Sequence, residues 1–211
     1  LTGADAPAAR DVAHTAGARR AHHREHRLAV TGTSARDLAG QLAAFLDGEA
    51  VPGAAAGGSD EERRPRVAFV YAGQGSQWAG MGRELLDQAP AFAEAFAACE
   101  ALVAAHAGFS LREELTRPAE SSRLARTEIA QPVLFAVQTA LTALWRSWGI
   151  EPVAVAGHSM GEVAAAHAAG ALDLADAVRV ITARGRLLAD AAGSGRMAAV
   201  DLPEDETRAA L

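Results

Sequence analysis

Several residue types are rare or missing in this sequence of 211 residues, and each absence excludes a class of protein. A single cysteine, Cys99, excludes a disulfide framework, so we predict a cytoplasmic protein with Cys99 in its core. Apolar runs long enough to span a bilayer are missing, because Gly, His or charged residues interrupt the alanine-rich stretches. A basic surplus is missing too, since the net charge is −6, which argues against a nucleic acid partner.

The remaining composition is that of an ordinary globular protein, with 50% hydrophobic and 22% charged residues. The chain begins at Leu1 without methionine or a signal-peptide pattern, and it ends at Leu211 within a pattern that predicts a helix. We therefore expect a piece of a longer polypeptide, truncated at both ends.

Residues 1–50 predict a small α/β unit. A short helix is expected over 8–17 and a strand over 27–31, and Ser34 is typical of the N-cap of a helix that ends near residue 47. The predicted apolar face of this helix consists of Leu38, Leu42, Phe45 and Leu46. The histidines of ARRAHHREHR fit no zinc-binding spacing, so we predict no metal site.

Residues 51–65, VPGAAAGGSDEERRP, separate this unit from the rest of the chain. Pro, Gly and Ala come first and a charge run follows, which is typical of a flexible linker. We place a domain boundary here.

The following residues, 66–211, alternate strand and helix patterns. Two continuous apolar runs, RVAFVY at 66–71 and PVAVA at 152–156, are typical of strands buried on both faces. A third strand candidate is GRMAAVDL at 195–202, with the start of a helix after it. Helical patterns cover about 82–89, 90–106, 111–116, 130–148, the stretch from GHSMGE to 169, and 173–191. The alternation predicts an α/β fold with a parallel sheet.

The stretch GHSMGE has the pattern G-x-S-x-G between a predicted strand and a predicted helix. In that context the pattern is typical of a nucleophilic serine on a sharp turn, here Ser159. Gly157 and Gly161 remove side chains from the turn, and the backbone N–H of Met160 is placed to donate to an oxyanion. A purely structural turn is the alternative.

A glycine-rich loop, GQGSQ at 73–77, follows the other buried strand. It lacks the third glycine and the distal acid of a dinucleotide site. Because loops at the carboxyl ends of parallel strands share one crevice, Gln74 is expected near Ser159. Its side-chain amide would then donate to the same oxyanion.

Together these stretches resemble a known family. VYAGQGSQWAGMG, TEIAQP, GHSMGEVAAAHAAGAL and ARGRLL occur in this order. The combination is similar to malonyl-CoA:acyl carrier protein transacylases, and most of all to the acyltransferase domains of type I polyketide synthases. Ala72 stands where many members have Pro. The preceding stretch, DVAHTAGARRAHHREHRLAVTGTSARDLAGQL, resembles the linker between ketosynthase and acyltransferase domains.

The resemblance implies a domain organisation. Residues 1–50 would be the ketosynthase–acyltransferase linker domain. Residues 66–194 would be the N-terminal part of an α/β-hydrolase-like large subdomain, and 195–211 the truncated start of a small ferredoxin-like subdomain.

The resemblance also implies residue roles. Ser159 would attack an acyl-CoA thioester, with Gln74 and Met160 as the oxyanion hole. Arg184 would bind the free carboxylate of the extender unit. His158 adjoins the nucleophile, and from this position we expect it to line the pocket. From the residues alone, a solvated helix arginine is the favoured interpretation of Arg184. No bound cofactor is expected; the acyl group would pass from CoA to the phosphopantetheine arm of an acyl carrier protein, beside a ketosynthase domain.

A catalytic base for Ser159 is not expected within this chain. His167 lies eight residues further along the same predicted helix, about 12 Å away, whereas a hydrogen bond needs about 3 Å. The family places its catalytic histidine further downstream. We therefore predict that this chain alone is inactive or nearly so.

Two features favour malonyl over methylmalonyl as the extender unit. Methylmalonyl-type domains often have Gln after the serine, where this chain has Met160. They often have a VDVVQ-like stretch where this chain has TEIAQ at 127–131. Two other functions stay open, which are a serine hydrolase or thioesterase-like enzyme with the same turn and a non-catalytic scaffold.

Overall fold

The computed structural model of the protein describes residues 7–21, 23, 25–58, 66–193, 195 and 200–210. The chain divides into two compact units, Leu1–Pro65 and Arg66–Leu211. The elements in chain order are α1 (Ala9–Ala18), β1 (Arg27–Val30), α2 (Ala35–Leu46), β2 (Ala54–Gly57), β3 (Val67–Tyr71), α3 (Arg83–Gln88), α4 (Pro90–Ala107), α5 (Leu111–Thr116), a 3₁₀ turn (Ala119–Ser121), α6 (Thr127–Ser147), β4 (Pro152–Gly157), α7 (Gly161–Ala168), α8 (Leu174–Asp190) and α9 (Glu204–Ala210).

The first unit contains α1, α2 and an antiparallel pair of strands, β1 and β2. The predicted N-cap is present, since Ser34 Oγ accepts from the N–H of Asp37 at 3.1 Å. The flexible linker expected over 51–65 is wrong at Ala54–Gly57, which pairs with β1 along its whole length. An Ala/Gly sequence has little strand propensity of its own, but the backbone of β1 supplies the missing partners. The assignment of Leu46 to the apolar face is also wrong, because 83% of this residue is exposed.

The second unit contains a parallel pair, β3 and β4, with α3 to α6 in the crossover between them. The pairing ends with Tyr71 opposite Gly157, and the N–H of His158 donates to the Tyr71 carbonyl at 2.9 Å. Both strands therefore end at the same edge of the sheet. This places the loop after β3 beside the turn after β4, as the α/β prediction requires.

Burial of these strands on both faces is wrong for the described residues. Val70 of β3 is 77% exposed and Val153 of β4 is 57% exposed. An apolar groove of about 800 Å³ runs along β3, and it will be called the β3 groove. Its lining includes Phe69, Val70, Trp78, Leu141, Trp145 and Ile150. The continuous apolar pattern of these strands therefore includes residues on a sheet face that no described element covers.

The core of the second unit lies among the helices. Side chains that are fully buried include Phe92, Phe96, Leu111, Phe135 and Ile181. Each contributes roughly 1.5–3 kcal/mol relative to an exposed position. Cys99 is fully buried, as predicted, and burial raises the pKa of its thiol to about 12.

Helix α6 begins three residues earlier than the predicted residue 130. The N–H groups of Ile129 and Ala130 both donate to the carbonyl of Arg126, so the first turn already forms at Thr127. Pro132 lies inside the helix rather than in its first turn. The earlier start places the TEIAQ stretch on a helix, which matters for the site described below.

Half of the third strand candidate over 195–202, residues 196–199, lies outside the described residues. The helix expected after it is present as α9. In the described part of the chain, no helix has the length and apolar content needed to cross a membrane.

Candidate active site

Ser159 occupies a strained turn between β4 and α7. Its φ is +56°, and within the described residues it is the one non-glycine residue with positive φ. A Cβ at Gly157 would lie 2.3 Å from the N of Glu162, and one at Gly161 would lie 2.3 Å from the carbonyl oxygen of Tyr71. Both positions therefore require glycine. A left-handed conformation costs a non-glycine residue about 1–2 kcal/mol, so the surrounding packing holds Ser159 in place.

The backbone N–H groups that follow Ser159 differ in whether they have an acceptor. The N–H groups of Gly161, Glu162 and Val163 donate to carbonyls of the preceding turn. In contrast, the N–H of Met160 has no protein acceptor among the described residues. The Met160 residue itself is fully buried. A donor of an oxyanion hole must have no such acceptor, so this N–H is compatible with the predicted role of Met160.

His158, expected to line the pocket, is exposed and lies against the loop after β3. A Cβ at Gly73 would approach the Nδ1 of His158 to 2.7 Å, so Gly73 makes room for the imidazole ring. The backbone of His158 is fixed by its bond to Tyr71.

Arg184 reaches Ser159 from α8. Its Nη2 donates to Ser159 Oγ at 3.0 Å, and its Nη1 donates to the Oε1 of Gln131 at 2.8 Å. Arg179, on the same helix, instead forms a solvated ion pair with Asp176. The sequence therefore singled out the arginine that the fold brings to the serine.

Gly185 allows α8 to approach α6 closely. A Cβ at this position would lie 3.1 Å from the Cα of Glu128 and 3.3 Å from the carbonyl oxygen of Thr127. Because Gly185 follows Arg184 directly, this close approach brings the guanidinium within reach of Gln131 on α6.

Gln74 lies in the loop after β3, beside the turn that carries Ser159, but its side chain is engaged elsewhere. Its Nε2 donates to Thr127 Oγ1 at 3.3 Å, and its Oε1 accepts from Gln131 Nε2 at 3.3 Å. The side-chain donor assigned from the sequence to the oxyanion therefore points at Thr127. The backbone N–H of Gln74 has no acceptor among the described residues.

Two residues of this cluster, Thr127 and Gln131, were missed by sequence reasoning. They lie four residues apart on α6 and so share one helix face. Their i, i+4 spacing was the available signal, but the predicted start near residue 130 left Thr127 outside the helix.

The structure brings no described histidine into hydrogen-bond contact with Ser159. His167 Nδ1 contacts the Leu172 carbonyl at 3.1 Å, beyond the far end of α7. The guanidinium of Arg184 is the group that hydrogen-bonds Ser159 Oγ in the described part of the chain.

The chain is similar to proteins of known family. The acyl transferase domain family matches residues 68–211. The polyketide synthase GfsE of Streptomyces halstedii is 45% identical over 211 residues, which is 98% of this chain and 6% of that protein. The acyltransferase domain from the second module of the salinomycin polyketide synthase is 40% identical, with a TM-score of 0.64 over 88% of this chain and 42% of that one. The acyl transferase domain of SpnD, solved in complex with 2-(pent-4-yn-1-yl)malonyl, is 31% identical, with a TM-score of 0.70 over 88% and 42%.

These matches confirm the fold class and the resemblance. The chain spans a small fraction of the curated relative and less than half of each solved acyltransferase domain. Its α/β architecture with a parallel strand pair is the architecture of those domains. The chain belongs to the acyl transferase domain family.

Proposed function

We propose that this chain carries the acyl-serine half of a polyketide synthase acyltransferase. The observation that carries the proposal is the pair formed by Ser159 and Arg184. A strained serine at a strand–helix turn lies 3.0 Å from a guanidinium that is held from a different helix. A nucleophile and a carboxylate-binding group at this separation suit an acyl chain that ends in a carboxylate.

The proposed reaction has two steps that share one covalent intermediate. Ser159 Oγ loses its proton to a base and attacks the thioester carbonyl of an acyl-CoA. The C–S bond then breaks, and the CoA thiol leaves with a proton. In the second step the phosphopantetheine thiol of an acyl carrier protein attacks the acyl-serine ester. Its C–O bond breaks, and the proton returns to Ser159.

Backbone N–H groups stabilise the negative oxygen that forms in both steps. Those of Met160 and Gln74 have no acceptor among the described residues, which supports this role. The Gln74 side chain contributes through its contacts with α6, rather than by donating to the oxyanion itself.

The base is proposed to come from outside the described residues, because no described histidine contacts Ser159. We expect the 211-residue chain alone to acylate Ser159 very slowly. An added small base would then replace the missing group.

The acyl group is proposed to be malonyl, in preference to methylmalonyl. Arg184 favours a dicarboxylic unit, and the SpnD relative was solved with a substituted malonyl. Met160 and the TEIAQ stretch favour the smaller group. A single methyl group is worth about 1–3 kcal/mol of discrimination, so a few pocket residues decide this choice.

The partners of the proposed enzyme are an acyl carrier protein and a neighbouring ketosynthase domain. We propose that residues 1–50 are the linker between the ketosynthase and acyltransferase domains, and that 195–211 begin a ferredoxin-like subdomain. No bound cofactor is required, since CoA and phosphopantetheine carry the acyl group. A cytoplasmic location fits this chemistry.

The test measures acylation of Ser159 in the 211-residue chain. The chain is incubated with malonyl-CoA, with and without imidazole, and the modified residue is located by peptide mass spectrometry. We expect malonyl on Ser159, formed much faster with imidazole and absent from Ser159→Ala. In parallel reactions, methylmalonyl-CoA should react more slowly than malonyl-CoA, and acetyl-CoA should react most slowly of the three.

Failure of a correctly folded chain to acylate Ser159 in imidazole would overturn the proposal. The fate of the acyl-serine decides between acyltransferase and hydrolase. Transfer to a pantetheine thiol faster than release to water supports acyl transfer, and the reverse order supports the thioesterase-like alternative.

A further inference from the structure

Gln131 connects Arg184 on α8 with Gln74 in the loop after β3. Its side chain is almost completely buried, with 1% of the residue exposed. Its Oε1 accepts from Arg184 and its Nε2 donates to Gln74, so both polar atoms of the amide have partners. A buried amide whose oxygen and nitrogen each have a partner holds its neighbours in one geometry, since leaving either partner unsatisfied is costly.

The contacts form one connected series. Thr127 accepts from Gln74, Gln74 accepts from Gln131, Gln131 accepts from Arg184, and Arg184 donates to Ser159. The direction of each bond fixes the next, because an amide that accepts with its oxygen must donate with its nitrogen. Gln131 stands in the middle of the series.

The guanidinium of Arg184 carries five N–H donors in a rigid plane. Gln131 binds Nη1 and Ser159 binds Nη2, so these two contacts fix the plane of the guanidinium beside the nucleophile. An incoming carboxylate needs that plane at one orientation for a two-bond contact. Without Gln131, the long arginine side chain is free to rotate away from Ser159.

We propose that Gln131 is a positioning residue that sets the preference of the site for acyl groups with a free carboxylate. It acts by holding Arg184 in the orientation that receives the carboxylate. Its second hydrogen bond fixes the orientation of the Gln74 side chain at the same time. The inference rests on the proposed function and deepens it.

The test compares malonyl-CoA with acetyl-CoA, which lacks the carboxylate. In the imidazole-assisted acylation of Ser159, Gln131→Met preserves the size of the side chain and removes both hydrogen bonds. We expect the half-saturating concentration of malonyl-CoA to rise about tenfold. The value for acetyl-CoA should change little, so the preference for malonyl falls. If Gln131 only filled space, Gln131→Met would keep the original preference.

Two further variants test the bond between Gln131 and Arg184 and the bond between Gln74 and Thr127. Gln131→Glu keeps an acceptor for Arg184 but places a carboxylate where it competes with the substrate, so malonyl acylation should fall while acetyl acylation persists. Thr127→Val removes only the acceptor of Gln74 and should leave the ratio of malonyl to acetyl unchanged. A loss of preference in Thr127→Val equal to that in Gln131→Met would overturn the assignment to Arg184.

Binding of free malonate gives a readout that does not depend on acylation. Titration of the folded chain with malonate, followed by NMR or calorimetry, should show weaker binding to Gln131→Met than to the original chain. Equal malonate affinity in both would overturn the inference. Absence of acylation in the original chain would instead count against the proposed function.

Discussion

At the level of single residues, the conformation of Ser159 lowers the stability of the turn but places the serine hydroxyl beside Arg184. Its φ of +56° is a conformation that glycine adopts without strain and serine does not. The two flanking glycines cannot be replaced, because a Cβ at either would lie 2.3 Å from backbone atoms. The residue between them must carry the hydroxyl, so the strain stays at that position.

Replacement of Ser159 separates strain from chemistry. Ser159→Gly and Ser159→Ala both remove the hydroxyl and its contact with Arg184, so both should lose acylation. Because glycine relieves the positive φ, we expect Ser159→Gly to be more stable than Ser159→Ala by about 0.5–1 kcal/mol. Urea unfolding of the two variants measures this difference in unfolding free energy. If Ser159→Ala were at least as stable as Ser159→Gly, the backbone at this position would not be strained.

At the level of elements, the pairing of α8 with α6 depends on Gly185. Alanine at an exposed helix position normally stabilises by about 1 kcal/mol relative to glycine. At Gly185 the added Cβ would meet the backbone of α6 at 3.1 Å. We expect Gly185→Ala to speed hydrogen exchange in α6 and α8 and to slow acylation of Ser159, because Arg184 moves with its helix.

Gly40 in α2 is the matched control for this substitution. A Cβ at Gly40 would meet no atom within 4 Å. Gly40→Ala should therefore slow hydrogen exchange in α2. If Gly185→Ala instead slowed hydrogen exchange in α8, the contact of the added Cβ with α6 would not destabilise the helix pair.

The segment between α5 and α6 is anchored by Glu114. Its side chain is fully buried, and Arg117 and Arg123 both donate to its carboxylate. Burial alone would raise the pKa of Glu114, but the hydrogen bonds and positive charges of Arg123 and Arg117 together outweigh it, and the pKa is lowered. The ion pairs therefore stabilise the fold most when Glu114 is ionised.

Glu114→Gln tests this anchor through its pH dependence. At pH 7 we expect the variant to lose about 1.5–3 kcal/mol of unfolding free energy, the usual contribution of hydrogen bonds to a charged group. A lowered folded pKa gives stability that is complete above the ordinary value of 4.5 and is lost as the pH falls through the folded pKa. The difference between original and variant in thermal or urea unfolding should thus shrink in acid, and a constant difference would contradict the ionic contribution.

At the level of the whole molecule, the β3 groove is an exposed apolar surface of the second unit. Val70, at its wall, is 77% exposed, and both strands of the parallel pair have an edge without a described partner. Apolar patches and free strand edges promote association. We expect the chain to self-associate and to bind an apolar dye.

Val70→Arg should reduce both effects, as measured by analytical ultracentrifugation and dye fluorescence. Leu46→Arg is the control, since Leu46 is 83% exposed in the first unit and does not line the groove. Equal improvement in the two variants would indicate general solubility rather than a property of the β3 groove.

The sequence by itself determined the class of fold and the central residues of the site. The strands that became β3 and β4 and the glycines around Ser159 follow from local pattern, whereas the choice of Arg184 follows from the resemblance to the family. Local chain geometry suffices there, because a strand–turn–helix with these glycines has few alternatives. The same locality explains the errors at Ala54–Gly57, where an unpromising sequence forms a strand only because β1 pairs with it.

Only the tertiary structure decided how the site is connected. Thr127 and Gln131 carry no motif of their own, and their role arises because Gly185 lets α8 lie against α6. The Gln74 amide was expected to face the oxyanion, but it points at Thr127 because a buried amide on α6 occupies its oxygen. Contacts between residues more than 50 positions apart depend on packing that no local pattern encodes. The sequence thus named the nucleophile and its arginine, and the packing of α6 against α8 set their orientation.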